Sequence, residues 1–248
     1  MRSIFISGAA AGLGRAVAEK FLDAGWTVGA FDIDPISYKH KRLVSGFLDV
    51  TDAASWDAAL AQFIRHTGGQ IDVLNNNAGI IVDGKLTDLS PAEIQQQIAV
   101  NCTGVTLGAH AAKRYLRKGA TLVNMCSASA IYGQPGIAVY SATKFYVAGL
   151  TEALNLEWAR DGIRVIDLWP LWAKTRLADV QAKSARRLGV RITPEQVADA
   201  FWDAVHPNNR WAKGQVHYGV STTDKMFYLA RRLSPMRIAR MTTRLVAG

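Results

Sequence analysis

A doubly wound α/β domain, a parallel sheet covered by helices on both faces, is the fold class this sequence predicts. Three observations carry the prediction: short apolar runs alternate with segments of helical period, a glycine-rich turn joins the first run to the first helix, and an acidic residue ends the second run.

Residues 3–7 read as a buried strand. The helix at 15–24 sets Ala16, Val17, Phe21 and Leu22 on one face, and Gly25 closes it. The second strand, 27–31, runs into Asp32. The pattern repeats as a strand at 47–50, a helix at 55–65, a strand at 73–75, a helix from 91 to about 108, a strand at 121–126, a helix at 140–160 and a strand at 164–168. Residues 170–192 break it. Thr193 then caps a helix with Pro194 at its first position and Glu195 and Gln196 in its first turn. Residues 215–220 read as a last strand, and 225–245 as a helical hairpin or a helix kinked at Pro235, which has no N–H to donate.

With 49% of its 248 residues hydrophobic and 20% charged, the chain can bury a sizeable core, which excludes disorder and suits one α/β domain. Cys102 and Cys126 are too few for a disulfide framework, no His/Cys cluster has metal-ligand spacing, and no run of ~18 apolar residues is present to span a bilayer. With no secretory leader ahead of the first strand, a soluble, cytoplasmic protein without a metal is expected. The net charge of +9 is unevenly placed. Residues 172–192 carry +5, from Lys174, Arg176, Lys183, Arg186, Arg187 and Arg191 against Asp179; residues 206–248 carry +7, and the remainder −3. That distribution excludes a nucleic-acid-binding stripe across the body of the fold.

Gly8-Ala-Ala-Ala11-Gly12-Leu13-Gly14 lies between the first strand and the first helix, where missing side chains let backbone N–H groups approach a pyrophosphate at a helix N-terminus. By itself the GxxxGxG spacing also suits a plain tight turn; its place at the opening of the first βαβ unit gives it weight. Asp32, eighteen residues after Gly14, stands where a carboxylate accepts from the adenosine ribose hydroxyls and repels a 2′-phosphate. Neither Ala11 nor Ile33 offers a compensating cation, so NAD rather than NADP is the expected cofactor.

Further motifs follow in order: Asp49-Val50, Asn76-Asn77-Ala78-Gly79, Asn101 within Val-Asn-Cys-Thr-Gly, Ser127, Tyr140-Ser-Ala-Thr-Lys144, and Pro170 with Thr175. With the glycine turn, and with Ser127 thirteen residues ahead of Tyr140, they resemble the short-chain dehydrogenase/reductase family from residue 3 to about 205. The resemblance implies a Rossmann fold and a catalytic tetrad of Asn101, Ser127, Tyr140 and Lys144. It implies a dinucleotide site made of Gly8, Ala11, Gly12, Leu13, Gly14, Asp32, Ile33, Asp49, Val50, Asn77, Ala78, Gly79, Tyr140, Lys144, Pro170, Ala173 and Thr175, with adenine at Asp49-Val50. A homo-oligomer, dimer or tetramer, is implied as well.

The tetrad also has a chemical rationale. Tyr140 and Lys144, four apart on a helix, share a face. A free phenol titrates near ~10, too high for a base at neutral pH, but a close ammonium and a positively charged nicotinamide favour the phenolate, which can exchange a proton with a substrate oxygen. Ser127, at a strand end, would donate to or orient that oxygen, and a preorganised donor of this kind is worth ~3 kcal/mol in the transition state. In the family the matching asparagine and lysine hold a water chain that relays the proton to solvent, and hydride passes between substrate carbon and nicotinamide. No chemistry is assigned to the two cysteines, small residues that pack well when buried, or to the five histidines, which share no motif.

Two departures are evident. Leu171 replaces the glycine that follows the family's proline, and Asn75 replaces an apolar residue, which calls for a buried hydrogen-bond partner. Ile131, Tyr132, Pro135, Ile137, Trp169 and Trp172 fall in segments that border nicotinamide and substrate in the family. They point to an apolar, cyclic or aromatic alcohol or ketone, with Trp169 better suited to the core and Trp172 to the pocket. Residues 172–192 are expected to form a substrate loop whose charge attracts an anionic substrate, complements the cofactor phosphates or solvates a mobile lid. After a catalytic domain at 1–221, residues 222–248 form a basic amphipathic extension with three open roles: packing on a partner subunit or over its own active site, lying on an anionic membrane surface, or remaining loosely ordered. The function expected is NAD-dependent interconversion of a secondary alcohol and a ketone. The alternatives are an NADPH-dependent carbonyl reductase and a non-catalytic dinucleotide-sensing protein.

Overall fold

In the computed structural model, which describes residues 2–175, 177 and 183–233, the first βαβ unit is β1 (Ser3–Ser7), α1 (Gly12–Asp23) and β2 (Thr27–Asp32). There follow β3 (Leu43–Phe47), α2 (Ala53–Ile64), β4 (Ile71–Asn76), α3 (Pro91–Ile98), α4 (Val105–Ala112) and β5 (Leu116–Met125). The remainder is α5 (Ala138–Trp158), β6 (Arg164–Leu168), α6 (Lys183–Leu188), α7 (Pro194–Val205), α8 (Arg210–Lys213), β7 (His217–Tyr218) and α9 (Thr222–Leu233). The strands form one parallel sheet in the order β3-β2-β1-β4-β5-β6-β7. The chain moves outward from β1 to β3 and then returns to β4 on the other side of β1. This reversal opens a crevice at the carboxyl ends of β1 and β4, the place where such sheets bind ligands.

Both faces of the sheet are covered, as the alternation requires. Ile4, Ile6, Val28 and Val123 pack with Val17 and Phe21 of α1 and Phe201 of α7. On the opposite face Phe5, Phe31 and Leu74 pack with Trp56 and Phe63 of α2 and Ala109 of α4, and the Phe5 and Phe31 rings stack at 4.7 Å. Gly25, at φ 81°, supplies the left-handed turn that ends α1. Thr193 caps α7 in a reciprocal capping box with Gln196, and Ser90 does the same for α3 with Glu93.

Several boundaries differ from the sequence reading, each for a local reason. The strand expected at 47–50 lies instead at Leu43–Phe47, where Phe47 is the register partner of Asp32. It is an edge strand with a half-exposed pattern, so its apolar signal is weaker than that of Leu48 and Val50, which are buried just beyond it. The single helix expected from 91 to about 108 is interrupted by a π-helical turn, Ala99–Gly104, and such turns recur at functional sites. The last strand is only His217–Tyr218, and the 170–192 segment contains α6 and an isolated bridge between Ala173 and Ile192.

The expected extension begins as α9. Ser221 and Asp224 cap it reciprocally, Asp224 being fully buried, and Tyr228 packs edge-on against Trp169 at 5.1 Å. The continuation expected to 245, with the kink at Pro235, lies outside the described residues. Among the described residues no helix is long and apolar enough to cross a membrane, and no group of side chains could hold a metal ion.

Candidate active site

A cleft of about 1030 Å³ opens over the crevice between β1 and β4. Its inner edge is the glycine turn. Gly8 and Gly12 hold positive φ values of 69° and 56°. A Cβ on Gly14 would stand 2.1 Å from the Gly8 carbonyl oxygen, one on Gly8 2.7 Å from Ala78 Cα, and one on Gly12 3.3 Å from Thr175 Cγ2. Side chains at Gly8 and Gly14 would collide with the turn and with Ala78 and Asn77 behind it, and one at Gly12 would crowd Thr175, so only glycine keeps the turn this tight at the α1 N-terminus. The residues present therefore fit a dinucleotide pyrophosphate, with Thr175 above the turn. Ala11, Leu13, Pro170, Ala173 and Thr175 all line this cleft.

The turn is held from both sides. Asp32 Oδ2 accepts from the Ala10 N–H at 2.8 Å and Oδ1 from Asp34 N–H at 3.0 Å, so the cleft-lining carboxylate is fixed between the glycine turn and its own loop. Asn77 donates to the Ser7 and Gly8 carbonyls at 3.1 and 2.8 Å, while Ser7 Oγ accepts from the Asn77 and Ala78 N–H groups. The Asn-Asn-Ala-Gly segment is thus stapled to the glycine turn. Asp49 lines the cleft beside Ile33 and Val50, and its Oδ1 accepts from the Thr51 N–H and hydroxyl at 2.9 and 2.7 Å.

At the other end Ser127, Tyr140 and Lys144 share the cleft with Gly79. Lys144 Nζ donates to the Met125 carbonyl at 2.9 Å and lies 5.4 Å from the centre of the Tyr140 ring. Asn101, placed by the π-helical turn, is fully buried rather than lining the cleft. Its Oδ1 accepts from Ile80 N–H at 2.9 Å and its Nδ2 donates to the Ile80 carbonyl at 2.8 Å and to Thr143 Oγ1 at 3.2 Å. A Cβ on Gly79 would sit 3.3 Å from Asn101 Oδ1 and 3.7 Å from Lys144 Nζ, so Gly79 lies beside both groups. Gly14 likewise is buried behind the cleft, against Gly8.

The apolar wall differs in part from the expected one. Trp172 lines the cleft and, with Ile81, packs against the cluster of Tyr140, Ile137 and Ala185. Leu171 lines it too, where the glycine was missing. Ile131, Tyr132 and Trp169 instead belong to a buried cluster with Val147, Trp169 as core, and Pro135 is exposed. Of the basic loop, Lys174 and Leu177 reach the cleft; Arg176 and 178–182 lie outside the described residues.

Asn75 does not find the partner expected of it. It is fully buried, and neither Oδ1 nor Nδ2 has a hydrogen-bond partner among the described residues. Cys102 and Cys126 are both buried, and burial raises both thiols above their ordinary range.

Sequence reasoning missed three neighbours. Arg15 lines the cleft with Asp32, held by Glu19 at 2.8 Å and stacked over Tyr38 at 5.1 Å; it is a cation that the comparison of Ala11 with Ile33 leaves out. Ser129 and Gln134 line the cleft behind Ser127, and the Ser127-x-Ser129 spacing was the available signal.

The chain matches the short chain dehydrogenase family over residues 2–185. An L-2,3-butanediol dehydrogenase of Corynebacterium glutamicum is 30% identical over 243 residues, covering 85% of this chain and 94% of that protein. A 3alpha-hydroxysteroid dehydrogenase of Mediterraneibacter gnavus is 30% identical over 216 residues, covering 79% and 86%. Among solved structures, a 3-ketoacyl-(acyl-carrier-protein) reductase from Brucella melitensis complexed with NADH superposes with a TM-score of 0.80 at 25% identity, covering 88% of this chain and 96% of that one. With the glycine cradle and the shared cleft, this likeness makes the chain a member of the short-chain dehydrogenase family.

Proposed function

We propose that this oxidoreductase uses NAD(H) to interconvert a secondary alcohol and a ketone on an apolar substrate. The observation that carries the proposal is that Ser127, Tyr140 and Lys144 line the same cleft as the glycine turn and Asp32. The nicotinamide, when bound, supplies the hydride acceptor or donor. Tyr140 takes the proton from the alcohol oxygen, or returns it to the ketone oxygen. Lys144, with one N–H fixed on Met125, has two more to offer the ribose and the Tyr140 oxygen. Ser127 donates to the substrate oxygen. Asn101 braces the loop after β4 against α5 and borders the route by which a proton reaches solvent. Leu171, Trp172 and Ile81 support an apolar substrate, in keeping with a steroid as the named substrate of one relative. A screen of secondary alcohols with NAD, read as NADH absorbance, tests this. Bulky cyclic alcohols are expected to exceed small polar hydroxy acids in kcat/KM, and the opposite order refutes the apolar reading.

NAD over NADP rests on Asp32, whose carboxylate would repel a 2′-phosphate, and on Glu19, which engages Arg15, a cation lining the same cleft. Asp32→Asn is expected to raise affinity for NADP relative to NAD by about tenfold or more, since tenfold corresponds to only ~1.4 kcal/mol. An unchanged ratio of the two Kd values refutes this assignment.

A cytoplasmic homo-oligomer belongs to the same proposal. Two free buried thiols support a reducing compartment, and exposed Phe145 and Tyr146 on α5 support a subunit contact, which light scattering checks. For the extension, Met226, Leu229 and Leu233 form an exposed stripe on α9, and residues 222–248 carry net charge +5, which supports contact with an anionic membrane surface. Replacing all three by Glu should abolish sedimentation with anionic liposomes; equal binding by both forms refutes it.

A further inference from the structure

The extension reaches the cleft wall through Tyr228, a residue that the proposed chemistry does not use. α9 starts where the chain leaves β7. There Asp224, fully buried, accepts from the Val220 and Ser221 N–H groups at 3.1 and 2.9 Å, and its own N–H donates to Ser221 Oγ at 3.2 Å. Tyr228 follows one turn later on the same face of the helix. Its ring stands edge-on to Trp169, with centres 5.1 Å apart and planes at 87°, and lies 5.9 Å from His217.

Trp169 is the residue between β6 and the cleft. Its N–H donates to the Tyr218 carbonyl at 2.8 Å, and the carbonyl of the next residue, Pro170, accepts from the N–H of Ala128, the neighbour of Ser127, at 3.1 Å. Backbone bonds thus fix the path of the chain, and Leu171 and Trp172 follow directly into the cleft. Trp169 shares a buried cluster with Ala128, Ile131 and Val147. Leu171, which lines the cleft, packs against this cluster, and so does Tyr228 of α9. One layer of side chains therefore separates the cleft from the extension. Behind that layer a groove of about 1080 Å³ is lined by Ile131, Trp169, Trp211 and Tyr228. An indole with open space behind it turns at little cost, because it gives up few contacts in doing so. The edge-on ring of Tyr228 holds it in one orientation.

Resting on the reading of Leu171 and Trp172 as an apolar substrate wall, we infer that Tyr228 is a positioning residue that sets substrate specificity. Acting through Trp169, it keeps Leu171 against the body of a bulky cyclic substrate. That contact is made alike in the bound substrate and in the transition state, so its loss raises KM and leaves kcat. A small alcohol does not reach the wall and does not sense Tyr228.

Steady-state kinetics with NAD on wild type, Tyr228→Phe and Tyr228→Ala test this, using 2-butanol and the bulky cyclic alcohol that performs best in the secondary-alcohol screen. Each variant is checked for an unchanged NADH Kd and a thermal midpoint well above the assay temperature. Tyr228→Leu, which keeps an apolar hold on the cluster without the ring, gives the same answer should alanine release the helix. Tyr228→Ala is expected to raise KM for the cyclic alcohol about tenfold, the scale of one lost apolar contact in a pocket, with kcat and the 2-butanol constants unchanged. Tyr228→Phe keeps the ring and should match wild type. An equal loss on both alcohols marks general loosening, and a Tyr228→Phe as impaired as Tyr228→Ala assigns the effect to the hydroxyl; either result overturns the role of Tyr228. So does an unchanged KM in Tyr228→Ala beside a wild type that prefers the cyclic alcohol. A wild type without that preference overturns the apolar reading and this inference with it.

Discussion

Two polar clusters sit on this sheet, and the one that looks more catalytic by residue type is the one that is locked. His217 of β7 places Nδ1 2.8 Å from Asp167 Oδ1 and Nε2 2.9 Å from Glu152 Oε1, with Trp169 packed over it at 4.8 Å. A buried imidazole between two carboxylates has the composition of acid–base machinery. Both ring nitrogens are nevertheless engaged, so none remains for a substrate. In the cleft, by contrast, the Tyr140 hydroxyl has no hydrogen-bond partner among the described residues, and Lys144 engages a single backbone carbonyl. Reactivity follows from which polar atoms are left unengaged in a cavity, and the cluster whose imidazole is engaged on both sides serves instead to clamp β7, β6 and α5 together.

The largest effect should come from the cleft. Tyr140→Phe removes the proton-exchanging hydroxyl and is expected to lower kcat by about 10³-fold, within the ~10²–10⁴-fold range of positioned acid–base groups, with NADH Kd little changed. His217→Gln should alter kcat by less than about threefold, since it touches no group that faces the cleft. A steady-state comparison of the two variants breaks the distinction if His217→Gln is the more damaging.

Stability should reverse that order. His217→Leu leaves Asp167, which is fully buried, without its charged partner, and removing one member of a buried pair costs about 3–5 kcal/mol. Urea unfolding should register a loss of that size, against less than about 1 kcal/mol for Tyr140→Phe, the deletion of a hydroxyl in the cleft.

The clamp also has a pH signature. Burial works against a charged His217, but the hydrogen bonds and charges of Asp167 and Glu152 outweigh it and raise its pKa above 6.5. Burial raises Asp167, and the His217 contact draws it back. Because the folded-state pKa of His217 lies above its unfolded value, its contribution is fully present below pH 6.5 and is lost as pH rises through the raised value. Urea midpoints should therefore decline from pH 6.5 upward in wild type and stay flatter in His217→Gln. A wild-type curve that rises over that window refutes the clamp.

What could be read from the sequence divides along the same line. The glycine turn, Asp32, and the Ser127, Tyr140 and Lys144 set were legible because each depends on short spacing, and the cleft brings them together at the carboxyl ends of the strands. The clamp was not: Glu152, Asp167 and His217 are separated by up to 65 residues and meet only through β6–β7 pairing. The π-helical turn that aims Asn101 leaves no apolar period of its own, and β3 escaped because an edge strand needs little burial. Ile131 and Tyr132 were assigned to the pocket by their position along the chain, but their side chains turn into the cluster around Val147.

Asn75 belongs to neither cluster and gives the smallest prediction. Its neighbour Asn76 donates to the Val105 carbonyl at 3.1 Å and to Asn124 Oδ1 at 3.0 Å, and Asn124 passes the bonding on to Thr151 at 2.9 Å, a ladder that ties β4, β5 and α5. Asn75, aligned with Ile6 and Val123, has no side-chain partner among the described residues. A buried amide without partners is destabilising by about 1–3 kcal/mol, and a β-branched side chain suits a central strand. Asn75→Val should therefore raise the thermal midpoint by about 2–4 °C, the shift that ~1 kcal/mol produces in a chain of this size, while Asn76→Val lowers it. Calorimetry on the two variants decides the matter: if Asn75→Val is the less stable of the pair, the amide has a partner that its surroundings supply.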